Sequence, residues 1–263
     1  MPVAMTIAGT DSGGGAGVVA DLKTFEAHGV WGTCAVVAVT AQNTLGVQAF
    51  ETLPVELVRQ QIASVTSDIG VDAAKTGMLA SAELVRAVAT AVAEAGITLL
   101  VVDPVFVSKH GDTLLADDAV AAVRDALLPL ATVVTPNLPE AAALTGIDIV
   151  DRHGMEAAAR RLAESGAGTV LVKGGHLGGD DSPDLVFTDG RITWLEGTRI
   201  AGRHTHGTGC VLSAAITAEL AKGMDPGDAC VAAKRFIQRA IAAGVAIGAG
   251  VGPVNPGWAR LGE

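Results

Sequence analysis

Apolar, β-rich runs alternate with helical patterns along almost the whole chain, and this alternation restricts the fold more than any other feature. The runs lie at 3–8, 34–39, 99–102, 132–134 and 169–172. Helical spacing of apolar residues marks 16–28, 55–68, 81–95, 116–128, 155–165, 207–222 and 226–247. Strands separated by helices pair in parallel, and a parallel sheet must be covered on both faces. The expectation is an α/β fold with a central, mostly parallel sheet flanked by helices on both faces. Near 184–195 two short β runs, Leu185-Val186-Phe187 and Ile192-Thr193-Trp194, enclose Asp189-Gly190. That dipeptide signals a hairpin, placed at an antiparallel edge of the sheet. No repeat, low-complexity tract or long linker interrupts 1–263, so the chain reads as one domain.

Composition narrows the function. Hydrophobic residues make up 49% and aromatic ones 3%, with no tyrosine, so the core must be packed with Val, Leu, Ile and Ala. The net charge of −10 supplies no basic stripe to displace counterions and argues against nucleic-acid binding. A nucleotide ligand would need a divalent cation and a few placed lysines. Cys34, Cys210 and Cys230 are too few and too scattered for a disulfide framework, and Cys34 and Cys230 read as small core residues. Reduced thiols and the lack of a secretory signal lead to the expectation of a cytoplasmic protein. Residues 240–259 carry no charge, but five glycines and two prolines break them too often for a membrane span.

The segment most charged with chemistry is His204-Thr205-His206-Gly207-Thr208-Gly209-Cys210, which opens into an apolar helical run. A helix start leaves backbone N–H groups unpaired, and the helix dipole adds about half a positive charge there, so the turn can hold a phosphate. A thiol in that first turn is expected to have a lowered pKa. Zinc on His204, His206 and Cys210 is disfavoured because a fourth ligand is absent. Other polar or glycine-rich segments follow expected strands, where ligands of open parallel sheets bind. They are 9–17, 40–44, 75–78, 103–105, 135–137 and 173–176. A Walker A loop is excluded because Gly-Lys occurs nowhere, and Gly13–Val18 fails the spacing of the dinucleotide fingerprint.

With these segments in order, the chain resembles the hydroxymethylpyrimidine/phosphomethylpyrimidine kinases of thiamine biosynthesis, within the ribokinase-like superfamily. The matching segments are AGTDSGGGAGVVADLKT at 8–24, VTAQNTLGV at 39–47, KTGML at 75–79, DPV and KHGDTLL within 103–115, TPNLPEA at 135–141, VKGGH at 172–176, THGTGC at 205–210 and GPVN at 252–255. The resemblance implies a ribokinase-like fold, ATP as co-substrate, Mg²⁺ and a homodimer. It implies that Gly207, Thr208, Gly209 and Cys210 are catalytic, with Cys210 where many relatives carry a basic aspartate and His204 replacing an earlier aspartate. It places Asp21 and Gln42 on the pyrimidine, with Gly9, Ala16, Thr40, Met78 and Val105 around it. It assigns Asn137, Lys173, Thr208 and Lys234 to the nucleotide, and Asp103 and Glu140 to the metal.

Gln42 separates the main reading from its alternative. A carboxamide offers a donor and an acceptor side by side, complementary to a ring nitrogen and a neighbouring exocyclic amine. An aminopyrimidine presents that pair and pyridoxal does not. The expected chemistry is phosphorylation of 4-amino-5-hydroxymethyl-2-methylpyrimidine to its monophosphate and then to the diphosphate. The alternatives are a pyridoxal kinase of the same superfamily and a non-catalytic pyrimidine-binding protein. The chain departs from the family at Asp11-Ser12-Gly13-Gly14, where extra glycine implies a looser loop at 12–17, and at Phe106 and His110, which lie near the expected pocket.

Overall fold

The computed structural model describes residues 1–106, 117–175, 177 and 181–262. In chain order the elements are β1 (Val3–Ala8), α1 (Gly17–Ala27), β2 (Trp31–Val36), β3 (Ala38–Asn43), β4 (Gly46–Thr52), α2 (Val55–Asp68), β5 (Ala73–Thr76) and α3 (Ala82–Glu94). There follow β6 (Leu100–Val102), α4 (Asp117–Ala122), β7 (Val133–Val134), α5 (Leu138–Thr145), α6 (Arg152–Glu164), β8 (Thr169–Val172), β9 (Asp184–Thr188), β10 (Arg191–Leu195), α7 (Thr208–Ala221) and α8 (Pro226–Ala242).

Eight strands form one sheet in the order β10-β9-β8-β7-β6-β5-β1-β2. The pairs from β2 to β8 are parallel, and β9 and β10 add an antiparallel hairpin at the edge, turning at Asp189-Gly190 as the sequence implies. Side chains alternate between two buried clusters. Leu100, Val102, Val134, Val170 and Val172 face the helices α2 to α6. Val101, Val133 and Leu171 face α7 and α8, with Ala20 of α1 beside them. This period of two is what a strand buried on both faces requires. From Val211 to Leu220 every residue of α7 is buried, so this helix has no polar face and lies inside the helical layer. Among the described residues no helix is long and apolar enough to cross a membrane.

Two boundaries and three elements differ from expectation. The run at 34–39 splits, because β1 pairs with β2 only as far as Ala8 and Val36. The chain then leaves the ladder, and β3 takes β4 as its partner in a separate two-stranded sheet. The largely exposed β4 and the alanine-rich β5 show no apolar run in the sequence. The last helical pattern stops at Ala242, since the following glycine-rich backbone bonds elsewhere: Val245 N–H donates to Pro253 O and Val251 N–H to Thr44 O. Helix α5, absent from the helical pattern, is started by a capping box in which Asn137 and Glu140 each bind the other's backbone N–H.

Candidate active site

The carboxyl ends of β1, β5, β6, β7 and β8 deliver Gly9–Gly17, Gly77-Met78, Asp103, Thr135–Asn137 and Lys173 to one edge of the sheet. The start of α7 meets them there. Gly207 adopts φ +78°, and a Cβ at this position would lie 1.8 Å from Gly15 O, so the two glycine-rich turns touch through their backbones. No side chain caps the first turn of α7. The Thr208 hydroxyl donates back to Thr205 O at 2.7 Å. Gly209 lies against Lys173 and Asp103, whose Nζ and Oδ2 would be 3.5 and 3.6 Å from a Cβ built on it. The turn thus presents backbone N–H groups beside a buried charged cluster.

Asp103 is its centre. Its Oδ1 accepts from the Thr135 hydroxyl and from Lys173 Nζ, each at 3.1 Å, and its Oδ2 from the Ser213 hydroxyl at 3.2 Å. Burial opposes its charge, but Lys173 and Lys75 hold the carboxyl below its usual range. Glu140 lies 3.8 Å from the same lysine. Burial pushes its pKa up to about 7 despite Lys173, with the Asp103 charge adding to the rise. Lys173, opposed by burial but flanked by both carboxylates, stays charged. Among the described residues no group of three or more ligating side chains is present, and the two buried carboxylates beside Lys173 offer the oxygen donors that Mg²⁺ favours. The donor set fits that ion.

Cys210 corrects one expectation. Burial pushes its thiol up to about 11, and neither the Lys75 charge nor the Gly17 N–H bonded to the sulfur offsets that. At neutral pH it is a thiol and not the activated thiolate implied by a helix start. Cys230 is buried and pushed up to about 12, whereas Cys34 is only half-buried, less than a core residue.

Around the expected pyrimidine pocket, Met78 Cε packs on Gly9, where a Cβ would approach it to 2.6 Å. The Thr40 hydroxyl donates to Thr10 O at 2.9 Å, and Val105 N–H to Asp103 O at 2.9 Å. Within the loop at 12–17, Asp11 accepts the N–H groups of Gly13, Gly15 and Ala16 at 2.8, 3.0 and 2.9 Å. His206 Nε2 lies 2.9 Å from Asp11 Oδ2 and 3.3 Å from Gln42 Nε2. His204 Nδ1 accepts the Gly252 N–H at 3.1 Å.

Two assigned side chains turn inward. Asp21 is completely buried, its oxygens bonded to Lys75 Nζ at 2.9 Å and to the Thr6 hydroxyl at 2.6 Å, so it supports the pocket from beneath and lines no surface. Lys234 bonds Asp184 Oδ2 at 2.7 Å and Ser182 O at 2.9 Å, so its ammonium is engaged by protein groups. Phe106 is buried in the core with Leu79, Val85 and Leu127, while His110 and His176 lie outside the described residues. Sequence reasoning placed Asp11, Lys75 and Thr135 in polar segments at strand ends without assigning them roles, and missed Ser213. An isolated Asp-Ser-Gly or Pro-flanked Thr carries no signal of partners far away in sequence.

A family model described as phosphomethylpyrimidine kinase matches residues 11–255. The chain is 52% identical over 262 residues to a Streptomyces coelicolor protein named hydroxymethylpyrimidine/phosphomethylpyrimidine kinase, covering 100% of this chain and 96% of that one. Among solved structures, an ADP complex of Bacillus subtilis pyridoxal kinase is similar with a TM-score of 0.92 and 39% identity, covering 99% of both chains. A Clostridium difficile phosphomethylpyrimidine kinase is similar with a TM-score of 0.82 and 38% identity, covering 92% of this chain and 100% of that one. This chain is a member of the phosphomethylpyrimidine kinase family.

Proposed function

We propose that this protein phosphorylates 4-amino-5-hydroxymethyl-2-methylpyrimidine with ATP and then phosphorylates the monophosphate to the diphosphate, in thiamine biosynthesis. The observation that carries the pyrimidine assignment is Gln42, a carboxamide that β3 brings to His206 and the glycine-rich loop beside the Gly207–Cys210 turn. Gly9, Ala16, Thr40, Met78 and Val105 shape the ring pocket, and Asn137, Lys173 and Thr208 serve the nucleotide. Asp103 and Glu140 would hold Mg²⁺, which would neutralise phosphate charge when bound. The protein works as a single domain, a cytoplasmic homodimer with no nucleic-acid or membrane partner.

The N–H groups of Gly207 to Cys210 face the transferring phosphoryl group while Lys173 balances its charge. A loose transition state draws most of its stabilisation from such positioning. The small fraction of Cys210 present as thiolate accepts the alcohol proton in the first round, a contribution kept small at neutral pH by the raised pKa of the thiol. The second round attacks from an ionised phosphate oxygen and needs no base.

A second reading, pyridoxal kinase, is favoured by the close superposition on the Bacillus subtilis enzyme. A phosphate-transfer time course with ATP and Mg²⁺ separates the two, with hydroxymethylpyrimidine in one tube and pyridoxal in another. Diphosphate accumulating through a monophosphate is the expected result. Turnover of pyridoxal alone would transfer the protein to the second reading.

A further inference from the structure

The Gln42 carboxamide does not stand alone in the pocket. Its backbone is held by Ser12, whose hydroxyl accepts the Gln42 N–H at 2.7 Å and donates to the Gln42 C=O at 2.8 Å. The ladder bulges beside it, where Ala41 pairs with Ala49 but Gln42 with Val47, leaving Gln48 of β4 as the extra residue. The terminal amide of Gln42 reaches His206 Nε2 at 3.3 Å, and the same ring nitrogen lies 2.9 Å from Asp11 Oδ2.

One nitrogen cannot accept a proton from the amide while giving one to the carboxylate. Asp11, bonded by three backbone N–H groups, is an acceptor. A charge-assisted bond at 2.9 Å outweighs a neutral contact at 3.3 Å, so His206 Nε2 carries the proton. Facing an N–H, the carboxamide is stable with its oxygen toward the ring and its NH₂ turned away. His206 is 8% exposed and fixed through its main chain, the backbone N–H donating to Gly252 O at 3.1 Å and the C=O accepting Val254 N–H at 3.0 Å.

The geometry points to His206, anchored by Asp11, as a positioning residue that sets which way the Gln42 carboxamide faces and so the direction in which an aminopyrimidine alcohol binds; this rests on the substrate reading above. Along the recognised edge of such a ring come the ring nitrogen, the amine-bearing carbon and then the carbon bearing the hydroxymethyl group. Reversing the carboxamide exchanges donor and acceptor, turns the ring over and sends the hydroxymethyl group to the opposite end. One of the two directions brings that oxygen to the Gly207–Cys210 turn. A hydroxypyridine alcohol lacks the amine, and its phenolic oxygen both donates and accepts, so it is less sensitive to the reversal.

The test compares wild type, His206→Phe and His206→Gln on hydroxymethylpyrimidine and pyridoxal, alongside ¹⁵N NMR of the His206 ring in the wild type. His206→Phe is expected to lower kcat on hydroxymethylpyrimidine by about tenfold or more, with a smaller change in KM and a smaller loss on pyridoxal. His206→Gln, which restores an N–H near the Nε2 position, recovers most of the loss, and NMR finds a proton on Nε2. Equal losses on both substrates without rescue by glutamine, or a wild-type ring protonated on Nδ1 alone, would overturn the proposal. Wild-type failure to use hydroxymethylpyrimidine would refute the substrate reading and the pyrimidine half of this one, while NMR would still decide the proton's position.

Discussion

Glu140 carries the charge that the folded protein holds least comfortably. Burial raises its pKa from 4.5 to about 7, so the native state binds a proton that the unfolded chain has already released over that window. The native state therefore binds more protons than the unfolded one, and this group's contribution to stability falls as pH rises from about 4.5 through about 7. Glu140→Gln keeps an oxygen for the Asn137 N–H and removes the titration. Its Tm without ligands at pH 8 is expected to exceed wild type by roughly 2–4 °C for each kcal/mol relieved. Its turnover with ATP and Mg²⁺ falls about 10–100-fold. A variant with unchanged stability and full activity would remove Glu140 from the metal site. Cys210 gives a second prediction at this scale. With the thiol pKa at about 11, the thiolate fraction grows steadily from pH 7 to 9, so the first phosphorylation should accelerate over that range. In Cys210→Ala that acceleration disappears, so the first step falls below wild type more at pH 9 than at pH 7, with less effect on the second. Equal single-turnover losses in both steps would leave Cys210 a positioning role only.

At the level of elements, the site depends on how β8, β9 and α8 are tied together. Asp184, at the start of β9, accepts the Gly174 N–H at 3.0 Å through one oxygen and Lys234 of α8 through the other. Gly174 admits no side chain, since a Cβ would lie 1.9 Å from Pro183 O, and Lys173 directly precedes it. The ion pair thus holds the strand end that carries Lys173. Lys234→Met leaves Asp184 buried without its cation and should destabilise by about 3–5 kcal/mol. Adding Asp184→Asn is expected to recover more than half of the lost Tm and to leave the KM for ATP near the wild-type value. A KM still raised in the double variant would return Lys234 to the nucleotide contacts.

For the whole molecule, the balance of charge decides how a nucleotide can be held. A chain of net charge −10 repels a polyphosphate, so the proposed nucleotide site at Lys173 and the start of α7 is expected to need a cation. Chelation with EDTA is expected to abolish turnover, and excess Mg²⁺ to restore it. ATP with Mg²⁺ at a hundred times its Kd should raise Tm by about 5–10 °C in scanning fluorimetry, because ligand spanning several strand ends favours the folded state. An equal rise with ATP and EDTA would show that the nucleotide needs no cation.

What the sequence by itself determined is the alternation of strand and helix, the Asp189-Gly190 edge hairpin, and the glycine-rich turn into α7. These rest on local periodicity and turn chemistry, which neighbouring residues settle between themselves. The eight matching segments likewise carried the family. Only the tertiary structure decided that Asp21 and Lys234 point inward to buried partners, that Phe106 joins the core, and that Cys210 holds its proton. Asp21 meets Lys75 across 54 residues, and Asp11 meets His206 across 195. Burial and such pairings set charge, direction and access, and they arise when separate strand ends close on one another, a property no local stretch of residues contains.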